Sequence, residues 1–200
     1  PGLSKPEYKA AVLELAATLA RVHPRSYQAG LAYGQLLVGE ERYMDAIVPL
    51  EQALTADRSR LPIWYYLLEA YHHSKRKDML LKRGEEMTEL FPSQGIGYYY
   101  YGLGLLHKGD FTKMVKVLEP AQLMAGDNEN LEVQLGILLG HAYAQQGQYA
   151  KSDALFEKQL AKQPDNPEIF NLYSLSLVLR HDKLAQASDY AQQAVNADPN

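Results

Sequence analysis

The chain is 200 residues long, 46% apolar and 22% charged, with a net charge of −4 and no cysteine. That mildly acidic balance lacks the basic stripe nucleic-acid binding requires, and no Lys/Arg cluster flanks an apolar segment to meet an anionic membrane surface. The absence of cysteine excludes disulfides, thiolate metal sites and a cysteine nucleophile, and the apolar runs are too short to insert in a bilayer.

The chain opens at Pro1 without Met or a charged-then-apolar leader, which reads as an excised part of a longer protein. Residues 7–22, rich in Ala and Leu, predict a helix that His23-Pro24 ends, because the residue before proline is pushed out of the helical region. Residues 1–26 are therefore an N-terminal helix, either the second helix of a half unit or a simple cap.

A pattern then begins to recur. In Trp64-Tyr-Tyr-Leu67-Leu68-Glu-Ala-Tyr71 the large residues 64, 67 and 71 share one helix face. Thirty-four residues on, Tyr98, Tyr101 and Leu105 occupy the same places, and a fixed period of this size means stacked units rather than one central core. The units run 27–60, 61–94, 95–128, 133–166 and 167–200, each with a helix A and a helix B. The first carries Tyr33, Gly34 and Leu37 on helix A and Ala46, Leu50 and Ala53 on helix B, where Pro49 predicts a kink or a late start. In the second, Leu80 and Met87 stand where small residues recur elsewhere and Gly84 where a large one does, a swap of volumes that preserves packing. The third has Tyr98, Tyr101, Gly102 and Leu105, the turn Gly109-Asp110-Phe111, and Pro120 late in helix B.

The spacing then slips to 38, as in Gly109 to Gly147 and Leu118 to Phe156. Four residues are inserted near 129–132, in the polar cluster Asp127-Asn-Glu-Asn130, which reads as a turn before the next helix. The fourth unit shows Leu139-Gly140, Tyr143, Gly147, Tyr149, Phe156 and Pro164. The fifth shows Phe170, Tyr173, Ser174 and Leu177, then Ala187, Ala191, Ala194 and Pro199 displaced by one extra residue near 180–183.

These units resemble tetratricopeptide repeats (TPR) over residues 27–200, with Pro92, Pro164 and Pro199 at unit ends. The resemblance implies an all-α, right-handed superhelical solenoid of antiparallel helix pairs, about five repeats plus the N-terminal helix. Small residues at Gly34, Gly102, Gly140 and Ser174 let helix B approach helix A. In the family, helices A line a concave face. One step around from the packed face, that surface takes Gln28, Leu31 and Gln35; Tyr65, Glu69, His72 and His73; Tyr99, Leu103, Leu106 and His107; Ile137, His141, Ala144 and Gln145; and Asn171, Leu175 and Val178.

Within the run Tyr98–Tyr101, Tyr98 and Tyr101 point inward and Tyr99, with Tyr100, toward the groove. Exposed tyrosine is a rigid anchor for a peptide, although packing between units accounts for the run equally well. The Lys, Arg and Asn clamp by which some TPR proteins hold acidic C-terminal tails is missing, since the matching region offers Gln28, Leu31, Gln35, Tyr65, Glu69, Tyr99 and Leu103. The six histidines lack the spacing of a metal site, and Gly95-Ile-Gly97 and Gly102-Leu-Gly104 do not continue into a phosphate loop. No catalytic motif appears, and no cofactor or metal is expected.

The expected function is a protein–protein or protein–peptide interaction module, binding a partner segment in an aromatic and apolar concave groove through Tyr65, Glu69, His72, Tyr99, Leu103, His107, Ile137, His141 and Asn171. The alternative is a structural spacer or homo-oligomerisation module within a larger assembly. Glu89-Leu-Phe-Pro92 and Pro164–Asn171 are similar to stretches of bacterial envelope repeat proteins, which are often lipid-anchored. That similarity leans toward the cell envelope, with the cytoplasm as the alternative.

Overall fold

The computed structural model describes residues 6–197, so the expected closing proline Pro199 lies outside the described residues. The first of two compact units, ending at Phe91, holds α1 (Pro6–Val22), α2 (Tyr27–Gly39), α3 (Tyr43–Ala56), α4 (Leu61–His73) and α5 (Lys77–Leu90). The second, from Pro92, holds α6 (Gly95–Lys108), α7 (Phe111–Ala121) with a 3₁₀ turn over Gln122–Ala125, α8 (Glu129–Gln145), α9 (Tyr149–Lys162), α10 (Pro167–Leu179) and α11 (Leu184–Ala197). No strand occurs among the described residues. Within each unit, helices consecutive in the chain pack as pairs, and alternate helices also touch: α2 with α4 in the first unit, and α6 with α8 and α8 with α10 in the second.

The pair contact rests on a missing side chain. A Cβ built on Gly34 of α2 would stand 2.4 Å from Cγ of Leu50 on α3, so only glycine lets that leucine seat. The same meeting recurs between Gly102 and Leu118, at 3.1 Å, and between Gly140 and Phe156, at 3.3 Å. In the second repeat the volumes are exchanged: Leu68, on α4, and Gly84, on α5, are both buried. Each lies 34 residues beyond its counterpart, Gly34 or Leu50.

Every turn from a helix A to its helix B uses the same backbone device. A residue in the left-handed region stands at Glu41, Lys75, Gly109, Gly147 and His181, a series spaced by 34, 34, 38 and 34 residues. The amide after each donates back into the preceding helix, as in Arg42 N–H to the Leu37 carbonyl (2.8 Å), Arg76 to Tyr71 (2.9 Å) and Gln148 to Tyr143 (2.9 Å). This is the Schellman closure of a helix C-terminus. Glycine takes the position without cost, whereas Glu41, Lys75 and His181 hold it against steric strain. The extra residue near 180–183 appears as a second left-handed residue, Lys183, before α11.

Two expectations are corrected. Helix α3 does not start late at Pro49 but runs from Tyr43 through it to Ala56. Gly30 makes room there, since a Cβ on it would come within 2.6 Å of the Pro49 carbonyl oxygen. The inserted residues 129–132 are helical, and of the cluster only Asp127, beside Gly126, stands in a turn. The Asn128 side chain accepts the Leu131 N–H at 3.0 Å, capping a helix whose first turn carries Glu129 and Glu132; carboxylates are favoured at a helix N-terminus. The insertion therefore lengthens α8 to 17 residues. Pro120 sits in the last turn of α7, and the chain tightens into the 3₁₀ turn directly after it.

Links between successive repeats add polar ties. The Tyr71 hydroxyl of α4 donates to Glu51 of α3 at 2.6 Å, and Arg83 of α5 grips the same carboxylate at 2.5 and 2.9 Å. The second unit repeats the tie between Tyr143 of α8 and Glu119 of α7. Its core gathers Val133, Ile137, Phe156, Ile169, Tyr173, Leu177 and Ala187, with the rings of Phe156 and Tyr173 stacked at 4.8 Å.

Two stability measurements check these devices. In a double-mutant cycle by chemical denaturation, Gly34→Leu with Leu50→Gly, copying Leu68 and Gly84, is expected to cost about 1–3 kcal/mol less than the sum of the two single losses; additive losses would show that the two sites do not form one packing unit. Lys75→Gly is expected to stabilise the fold by about 0.5–1 kcal/mol, since relief of left-handed strain outweighs the added freedom of the unfolded chain.

Candidate functional site

In the first unit Tyr65, Glu69 and His72 fall at i, i+4 and i+7 along α4, and all three are half-buried. Burial raises the Tyr65 phenol pKa. Glu69 lies close enough to Tyr43 of α3 to raise that phenol as well, behind the larger effects of burial and Glu41. His73 stacks on the Tyr43 ring at 4.3 Å, and the rings of His72 and His73 meet edge-on at 5.0 Å. The α4 face is thus an aromatic strip with one carboxylate.

In the second unit the tyrosine run divides only in part as expected, since Tyr98, expected inward, is in the same half-buried class as Tyr99 and Tyr100. Tyr101 is buried, and Tyr98 stays half-exposed with its hydroxyl donating to the Pro92 carbonyl at 3.0 Å. Tyr99 and Tyr100 are half-buried side by side, ring centroids 5.2 Å apart. The Tyr99 phenol pKa is pushed up to about 12, mainly by burial and further by the charge of Glu168. Tyr99 is on α6 and Glu168 on α10, and both helices pack on α8, so the two side chains approach each other across α8.

Three of the expected groove residues do not lie in a groove. Ile137 is fully buried in the unit's core, and His141 and Leu103 are 94% buried, each retaining only 6% exposure. The reason is the position of α8: α6, α7, α9 and α10 all pack on it, and every residue from Leu135 to Ala144 is buried. A helix enclosed on all sides has no face left to line an open groove. His141 instead meets the Phe111 ring edge-on at 5.7 Å, and desolvation lowers its pKa, which keeps the imidazole neutral.

The open surface of this unit is on α10. Asn171, Leu175 and Val178, again at i, i+4 and i+7, are all exposed, and Leu179 joins them. These positions are the repeat equivalents of Tyr65, Glu69 and His72. His107, at the end of α6, is exposed too. Glu168 was not legible as a site residue. It follows Asn166-Pro167, a helix-start signal, and the Asn166 side chain caps the Glu168 and Ile169 amides at 2.9 and 3.3 Å. Nothing in its local sequence reports that it approaches Tyr99.

Among the described residues no three His, Asp or Glu side chains gather as a metal site, and no helix is long and apolar enough to cross a membrane.

No protein-family model and no curated protein sequence matches the chain. Solved structures do. YrrB, a TPR protein with an unusual peptide-binding site, superposes with a TM-score of 0.67 over 94% of this chain and 94% of its own, at 14% identity. A thermophilic TPR protein of Thermus thermophilus gives 0.65 over 88% of this chain and 93% of its own, at 22% identity. PilW, a widely conserved type IV pilus biogenesis factor, gives 0.69 over 85% and 76%, at 19% identity. At these identities the likeness establishes the fold, an all-α TPR arrangement of stacked helix pairs.

Burial raises the Glu168 carboxyl pKa. A carboxyl raised in the folded state contributes stability below its unfolded pKa of about 4.3 and loses it as pH climbs through the folded value. Glu168→Gln is therefore expected to raise the melting temperature at pH 7 and to leave it unchanged near pH 3.5; an equal shift at both pH values would mean that ionisation of Glu168 is not the cause.

Proposed function

We propose that this TPR-fold chain is a protein-interaction module that binds a partner segment along the exposed faces of its A helices. The observation that carries the reading is the stripe Asn171-Leu175-Val178, whose two apolar members are 45% and 50% exposed on a helix otherwise packed into the fold. Exposed apolar residues in a row, next to an amide that orients a backbone, suit an apolar-anchored segment. The half-buried strip Tyr65-Glu69-His72 on α4 supplies equivalent positions with aromatic and polar character. Within the second unit, the half-buried Tyr99 and the exposed His107 offer further positions on α6.

Peptide binding by YrrB makes a peptide-like partner a reasonable class for this chain. Leu103, Ile137 and His141 act as supports beneath the surface rather than as contacts. The function is binding rather than catalysis, because the groups offered are chiefly aromatic, aliphatic and amide.

The test is to select peptides against the chain from a random display library and to measure the affinity of the selected peptides for variants. Tyr65→Ala with Tyr99→Ala, and separately Leu175→Asp, are expected to weaken binding about 10- to 30-fold, the loss of one or two anchors, with far-UV circular dichroism unchanged. Unaltered affinity in both variants would place the site away from the A helices.

A further inference from the structure

Cations in this chain settle in one recurring setting, between an aromatic ring and a carboxylate. Arg60 lies over the Tyr27 ring at 4.8 Å while donating to Asp57 at 2.7 Å. Arg58 lies over the Trp64 ring at 5.7 Å and reaches Glu86 at 2.9 Å. In the second unit Lys151 lies over Tyr143 at 4.8 Å, with Glu119 at 3.8 Å. Arg180 lies over Tyr149 at 5.3 Å, with both oxygens of Asp153 at 2.9 Å. The ring face and the carboxylate each attract positive charge, so the pair together defines where a cation sits.

Tyr99 and Glu168 build the same setting without a cation of the chain's own. Both are half-buried, the charge of Glu168 acts on the Tyr99 phenol, and Tyr100 sets a second ring 5.2 Å from the first. The Glu168 carboxylate makes no hydrogen bond or ion pair among the described residues. The A helices offer it none: of the 20 Lys and Arg residues only Lys108 falls on α2, α4, α6, α8 or α10, and it closes α6 at the end away from Tyr99. A carboxylate withdrawn from water without a partner is costly. Elsewhere the chain avoids that cost, since Glu51, Glu119, Glu132 and Asp153 are all paired. Glu168 is also within reach of a ligand. It stands three residues before the exposed Asn171 and seven before Leu175, on one face of α10.

We propose that Glu168, with Tyr99 and Tyr100, takes an arginine side chain of the partner segment, so that this surface selects a peptide with a guanidinium beside its apolar anchors. A guanidinium is planar, lies flat on a tyrosine ring and still directs paired N–H donors at a carboxylate, which an ammonium does not. Three of the four cations already in this setting are arginines. The proposal rests on the reading of the A-helix surface as peptide-binding and names the chemistry of one position in the peptide.

Two measurements on the 200-residue chain test it. In the first, N-acetylargininamide is titrated while NMR follows the Tyr99 ring and the Glu168 carboxyl. Saturable shifts of both are expected, with none from N-acetylcitrullinamide, which has the same shape without the charge, and none in Glu168→Gln. In the second, the peptides selected from the display library are remade with citrulline in place of arginine. That change and Glu168→Gln are each expected to weaken binding about 10- to 100-fold, the worth of a charge-assisted hydrogen bond, and to weaken it no further when combined. Glu168→Gln should melt no earlier than the parent at pH 7, which separates lost binding from lost fold. Equal responses to the two probes, or selected peptides that need Leu175 yet carry no arginine, would overturn the proposal and leave the A-helix surface standing. Peptides indifferent to every A-helix variant would overturn both.

Discussion

The structure depends on how closely two helices of one repeat can approach. A helix pair of this length cannot bury its apolar residues alone, and the gain per repeat comes from a large side chain on one helix occupying the space left by a small one on the other. Gly34 with Leu50, Gly102 with Leu118 and Gly140 with Phe156 make that contact with the small residue on helix A. The second repeat carries Leu68 on helix A and Gly84 on helix B. What the fold requires is the sum of the two volumes, not a residue type at either position. This explains how a chain can hold the TPR arrangement while matching solved TPR structures at no more than 22% identity among those compared.

Each pair then has to be joined to the next. Here the chain uses side chains with both apolar and polar parts. Tyr71 buries its ring and sends its hydroxyl to Glu51 on the preceding repeat, and Tyr143 does the same to Glu119. The carboxylate in the first unit is held further by Arg83, so a polar group at a packed seam keeps its hydrogen bonds. These ties are local to neighbouring repeats. The same is true of the left-handed turns, which reverse the chain within a few residues. Stability is consequently assembled in short steps along the sequence, and function is left to the faces that the steps do not use.

The repeat pattern was legible in the sequence because it is made of such short steps: Trp64, Leu67 and Tyr71 share a face by helical spacing alone, and all three are buried. The candidate surface was legible only in part. Asn171, Leu175 and Val178 are exposed in the places helical geometry assigned them, but Ile137 and His141 come from the same register and are buried. The difference arises because α8 lies between α6 and α10, a relation among three repeats that no one repeat's sequence encodes. The Asp127–Asn130 cluster misled only in part, since Asp127 stands in the turn while Asn128 caps α8, and the residue types that make turns also cap helices.

The two ends of a stack are held from one side only, and α11 shows the consequence. Ala187 is its only buried residue among those described, and it packs chiefly on α10. In a linear array, opening begins where the fewest neighbour contacts must be given up. Amide protons of α11 should therefore exchange with solvent well before those of α8, and loss of structure in the second unit should advance inward from that end. The enclosed helix that offers nothing to a ligand is the one that melts last.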